Sequence, residues 1–336
     1  MLRACKDWLA RVGTRAILVT AVRRPTTRRH VRLVIRPQTA PAELGRWSLL
    51  PSEESLIDGD AVPLYEKAVK ALPSKADDDR VRVCLDVPLN LLPVRRVQQA
   101  LQHYAESLRH AASAARCRQS NWPQWKPEIP VPYREEYRRL VFAIRMQIKL
   151  EIVNDRYEEA ILAFQTGFGM AKHLGHAPAI VQVMIGTAIG QVVCREIEAL
   201  VQRKGAPNLL LALACLPQPF VDLESAIENE TTIALSYGEV GNDVKAGQDQ
   251  CRVLVKRLHS NLEALQCVEA IRSYAASHSD QLPQTLADLK ELSLPQNPMT
   301  GEVFRYTRTA ATAVLESPAP AGGKKGGLRY EIVVKN

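Results

Sequence analysis

From Tyr133 to about Lys204 apolar residues recur at helical spacing almost without a break, and this run limits the fold more than any other feature of the chain. Tyr137, Leu140, Val141, Ile144, Ile148 and Ile152 trace one apolar face, Asn154 and Asp155 mark a turn, and Tyr157, Ala160, Ile161, Phe164, Phe168 and Ala171 trace a second face. Residues 177–194 then carry no charge over eighteen positions. Gln182, Thr187, Gln191 and the early Pro178, followed at once by Arg195, Glu196 and Glu198, fit a central helix buried on most sides better than a membrane span, which needs roughly 20 apolar residues. Gly186 and Gly190 have the spacing that lets another helix approach closely. Aromatic residues make up only 5% of the chain, which favours Ala- and Leu-rich helices over sandwiches and barrels.

The same periodicity predicts further helices. Leu64, Tyr65, Ala68, Val69 and Leu72 outline one that stops at Pro73. Asp77, Asp78 and Asp79 read as a solvated linker, and residues 81–87 as extended loop before Pro88 and Pro93. Residues 94–117 read as one long helix. After a break at 205–207 a short apolar helix covers 209–215, and Asp222 or Ser225 is placed to cap the next, with Ser225 and Glu228 at capping-box spacing. Residues 239–248 are polar and glycine-rich and are expected to interrupt, and a long helix follows over 249–278. Beyond it, turn signals separate strands at 303–308, 313–317 and 328–334. The expectation is a mainly α protein, an antiparallel helical-hairpin bundle with a small C-terminal antiparallel β-sheet packed on a long helix. Its parts are a basic arm and irregular lead-in at 1–60, a helical bundle at 61–248, and a helix-plus-sheet module at 249–336.

Charge is unevenly placed. Residues 1–37 hold ten Lys/Arg against the single acid Asp7, a local +9 where the whole chain carries +8, so the remainder is close to neutral. This argues against a nucleic-acid-binding body and gives the basicity to an arm. Arg23, Arg24, Arg28 and Arg29, among Trp8, Leu9, Ile17 and Val22, make that arm a candidate for anionic lipid or polyanion contact. The apolar run 16–22 is too short for a secretory signal and is followed directly by Arg23, and the location is left open between cytoplasmic and envelope-associated.

The remaining candidates for chemistry are few. Trp122 and Trp125 lie among four prolines in residues 121–132, which cannot be helix. They form either a ligand platform or a hydrophobic clamp, and the clamp is the favoured reading. The seven cysteines include no C-x-x-C pair and read as small buried apolar groups. His173 and His176 stand at a helix end without an acidic partner, and Glu228 and Glu230 point to different sides of a helix. The glycine–lysine run at 322–327 precedes a strand, whereas a phosphate loop opens a helix. No catalytic residue, metal ligand or cofactor is assigned.

Two segments resemble known families. Residues 154–164 (NDRYEEAILAF) resemble the second helix of a tetratricopeptide repeat, with Ala160 and Phe164 at the interlocking positions, within a match over about 141–174. That resemblance implies right-angled helical pairing and peptide binding. Residues 250–334 resemble the globular part of type II secretion pseudopilins through Leu282, Pro283, Leu286, Leu289, Pro298, Gly301, Phe304 and Tyr306. The prepilin cleavage motif of that family is not found in the sequence, so this resemblance implies the local fold only. The whole chain is similar to bacterial proteins that couple such a tail to a helical body, often behind an envelope anchor. The function expected is a non-enzymatic scaffold or adaptor with a protein partner. The alternatives are an enzyme with a dispersed site in the helical bundle, and anionic membrane or polyanion attachment through residues 1–37.

Overall fold

The computed structural model describes residues 29–37, 46–124, 134–236, 242–290, 295–317 and 327–335. It is mainly helical with a small C-terminal sheet, as expected. The chain divides into two compact units. The first holds Leu50–Val193 and Gln218–Val255, and the second holds the described parts of Pro25–Leu49, Cys194–Pro217 and Lys256–Asn336.

In the first unit, strand β2 (Ile57–Asp60) leads directly into α1 (Ala61–Lys70). Asp60 caps that helix by accepting the Val62 N–H at 3.1 Å, and Ala61, Val62, Tyr65, Ala68 and Val69 form its buried face. The acidic run read as a linker lies instead inside α2 (Lys75–Arg82), with Asp77 and Asp78 in its first turn. Acidic side chains are favourable at a helix N-terminus, and Asp78 is further held by Arg139 at 2.5 Å and by the Tyr104 hydroxyl. Residues 83–87 then turn rather than extend, with the Val87 N–H on the Cys84 carbonyl at 3.3 Å.

The helix expected over 94–117 is two, α3 (Val94–Gln102) and α4 (Ala105–Ala115), followed by the short strand β3 (Cys117–Gln119). Between them the His103 and Tyr104 amides bond three residues back, a tighter turn that ends the first helix. Strand β3 pairs in parallel with β2. Helices α5 (Arg134–Val153) and α6 (Tyr157–Gly175) pack on each other, separated by the turn at Asp155, whose φ is 56°. Helix α6 also packs on α4, and Gly169 is the reason it can. A Cβ there would meet the Ala115 Cβ at 2.8 Å.

Helix α7 (Ile180–Leu200) contains the uncharged run from Ile180 on, and 78% of its most apolar eighteen-residue window is buried. A Cβ on Gly186 would lie 2.6 Å from the Ala171 carbonyl oxygen, so this glycine does permit the close approach its spacing suggests. Helix α8 (Leu210–Ala214) is short and apolar, and α9 (Leu223–Ser236) begins after Asp222, which accepts the Ser225 amide at 3.1 Å. Helix α10 (Asn242–Ser277) starts earlier than expected, so residues 242–248 continue it rather than interrupt.

The second unit contains a four-stranded sheet, order β1-β6-β5-β4, formed by β1 (Arg29–Ile35), β4 (Arg305–Thr309), β5 (Thr312–Ser317) and β6 (Leu328–Val334). It corrects the expected antiparallel sheet. Strand β1 comes from the stretch read as a basic arm and pairs in parallel with β6, making the sheet mixed. The alternation of Val31, Leu33 and Ile35 with His30, Arg32 and Val34 explains this, since Leu33 and Ile35 are fully buried. Near the other edge, the turn at Asn297 is built into the fold. Its side chain joins Ser260 of α10 and Ser317 of β5 at 3.1 Å each, and its carbonyl accepts the amides of Thr300 and Gly301, the latter residue at φ 74°.

Candidate functional site

Trp122 is half-buried and fully engaged by its own chain. Its indole N–H donates to the His173 carbonyl at 2.9 Å, its ring stacks on Tyr65 at 6.1 Å, and its edge meets Tyr137 at 6.2 Å. The Tyr65 hydroxyl bonds the His173 Nδ1 at 2.9 Å. Burial pushes the His173 imidazole down to about 4, so it is neutral near pH 7, and burial also raises the Tyr65 hydroxyl and the Cys117 thiol. This arrangement holds the chain after β3 against α1, α5 and α6. Asp60 adds to it by accepting the Asn121 amide at 2.9 Å while capping α1.

Trp125, Arg23, Arg24 and Arg28 lie outside the described residues. Arg29 stands in β1 and makes a two-pronged ion pair with Glu198, both contacts at 2.6 Å. The same carboxylate accepts from the Tyr330 hydroxyl at 2.7 Å. Burial opposes the Arg29 charge, but the Glu198 carboxylate outweighs it and holds the guanidinium above its ordinary range. Arg29 is thus a residue that ties the sheet to the C-terminal part of α7.

A feature that sequence reasoning did not find lies between α2 and α3. The Lys149 side chain is buried, at 4% exposure, and its Nζ donates to the carbonyls of Leu85 and Val87 at 2.8 and 2.6 Å, with Cys84 at 3.4 Å. Arg145 reaches Asp86 of the same turn at 3.6 Å. On the inner side Cys84, Leu85 and Leu92 enter a cluster with Val97, Leu101, Met146 and Leu150. On the outer side Val83 and Leu91 stand 60% and 68% exposed. Two exposed apolar side chains therefore flank the turn, residues 84–87, whose carbonyls Lys149 holds. The sequence signal was the pair of prolines, Pro88 within the segment and Pro93 just after it.

Other titratable groups serve the fold. Arg272 and Glu269 are fully buried and paired at 3.0 Å. Glu230 of α9 accepts the Ile180 amide at 2.6 Å, capping α7, and desolvation raises its carboxyl to about 7. Among the described residues no three His, Cys, Asp or Glu side chains are grouped to hold a metal. Six cysteines are described and are free thiols, with Cys84, Cys117, Cys194 and Cys267 buried. No protein-family model, curated protein or solved structure matches the chain.

Proposed function

We propose that the chain is a non-enzymatic helical scaffold that docks a protein partner, with the segment from Val83 to Leu91 as the docking surface. The observation that carries this reading is the pair of exposed apolar side chains, Val83 and Leu91, on either side of the turn that Lys149 anchors. Binding residues are often carried on loops that a rigid scaffold positions, and a preordered surface loses less freedom on association than a mobile one. The tetratricopeptide-like reading of residues 141–174 is part of this proposal; in that stretch α5 packs on α6, and Ala160 and Phe164 are buried. With the pseudopilin-like reading of the C-terminal module, it favours an adaptor at the bacterial cell envelope.

The test is site-specific photocrosslinking in cells of the source organism. A benzophenone side chain at Leu91 is expected to yield a reproducible protein adduct that is lost on Val83→Glu. The same group at the exposed Gln99 of α3 is expected not to yield it. Absence of an adduct above background at Leu91, or the same adducts at both positions, would sink the proposal.

A further inference from the structure

Residues 82–96 carry more than two apolar side chains. Arg82, Arg95 and Arg96 are exposed, and among the described residues no ion pair engages them. The single acid in the segment, Asp86, faces Arg145. The surface is therefore apolar and cationic, and it suits a partner that brings an apolar anchor flanked by carboxylates.

The chain itself displays such a surface at the start of α6. Leu162 is 62% exposed. Glu158 and Glu159 precede it by four and three positions, which places all three on one helical face, and both acids are exposed. The nearby cation Arg156 is already turned onto Glu151 at 2.5 Å. The two surfaces match in anchor type and are opposite in charge.

We infer that the partner docked on residues 82–96 is a second copy of this chain, presenting Leu162, Glu158 and Glu159. The inference rests on the reading of Val83 and Leu91 as a docking surface. Because the two patches are different surfaces, each copy both gives and receives. The contact is either made twice about a two-fold axis or repeated from copy to copy. Arg95 and Arg96 meet the acidic pair while Val83 and Leu91 enclose Leu162.

Sedimentation of the full chain over a range of concentrations tests this. The mass is expected to rise above that of the monomer with concentration at low salt, and to fall back at about 0.5 M salt as the charges are screened. Leu162→Glu and Leu91→Glu should each weaken association by about tenfold or more, since buried anchors dominate such contacts. The pair R95E/R96E should weaken it similarly, and adding E158R/E159R to that pair should restore association to within about threefold. All these side chains are exposed, and an unchanged thermal transition confirms that each variant folds. A chain that stays monomeric at every concentration, or a charge exchange that fails to restore association, overturns the inference. If a monomeric chain still gives the Leu91 adduct with another protein, self-docking is wrong and the docking surface stands. If it gives none, both readings fail.

Discussion

Lys149 in the first unit and Arg272 in the second are both buried cations, and they organise their surroundings differently. Lys149 directs one ammonium to the carbonyls of a single turn. Arg272 uses its planar fork to join distant segments, donating to the carbonyls of Arg36 at 2.7 Å, Pro207 at 2.9 Å and Ala206 at 2.5 Å, and to Glu269. Glu269 in turn accepts the Leu209 amide at 3.0 Å. A compact ammonium suits one concave turn, whereas a guanidinium can tie several strands of chain at fixed angles. The comparison predicts unequal costs of removal. Arg272→Leu strands the buried Glu269 carboxylate and is expected to cost about 3–5 kcal/mol in urea unfolding. The double variant E269Q/R272L should recover part of that loss, and a double variant no better than the single would break the argument.

Lys149→Met should cost less, about 1–3 kcal/mol, because the groups it leaves behind in the turn are neutral carbonyls rather than a carboxylate. Its larger effect should be local. Hydrogen exchange at the Val87 amide, which bonds to the Cys84 carbonyl, should speed up by about tenfold or more while the core of α6 changes little. A loss equal to that of Arg272→Leu would mean that the turn is as central to its unit as the arginine hub is to the other.

Titration sharpens the contrast, since the first unit holds groups that change protonation between pH 4 and 7 in opposite senses. His173 is lowered from 6.5 to about 4 by burial, so the unfolded chain takes up its proton first and stability falls as pH drops through this window. Glu230 is raised from 4.5 to about 7 by desolvation, so the folded chain keeps the proton that the unfolded chain has lost, and stability falls as pH rises through that window. Its surroundings include the Cys251 thiol, raised to about 11, and Arg252, which is held by Glu224 at 2.8 Å. The two contributions nearly cancel between pH 4.5 and 6.5. His173→Gln should uncover a stability that declines with pH by at most about 1.4 kcal/mol per unit, and Glu230→Gln one that climbs by a similar amount. Unfolding midpoints taken every half pH unit would show both slopes, and parallel profiles for the two variants would refute the assignment.

The parts of this fold that were legible in the sequence are those whose identity depends on near neighbours. The faces of α5, α6 and α10 repeat over many turns, so no single residue decides them, and β4 to β6 are bounded by strong turn residues. Strand β1 was hidden because its alternating Val31, Leu33 and Ile35 sit in an arginine-rich stretch whose charge dominates any average. Helix α2 was hidden because eight residues with three consecutive aspartates look solvated until Tyr104 and Arg139 are brought to Asp78. Lys149 and Arg272 were invisible for the same reason. A cation on a helix reads as a surface residue, and only carbonyls more than sixty positions away in sequence make it an anchor. Trp122 was legible as a clamp or a platform, but its partners Tyr65, Tyr137 and His173 were not, because they are distant in sequence.

The choice between clamp and platform sets the smallest expected effect. Trp122→Phe keeps an aromatic ring between Tyr65 and Tyr137 but removes the N–H that donates to the His173 carbonyl. A clamp loses one partly buried hydrogen bond, so stability should fall by about 1 kcal/mol. Adduct formation at Leu91 and self-association should not change, because the Lys149-anchored turn is held by other contacts. If Trp122→Phe instead left stability intact and abolished the Leu91 adduct, the indole would belong to the docking surface. The neutral aromatic cluster around His173 would then have to be read as the rim of a binding site rather than as the brace of one.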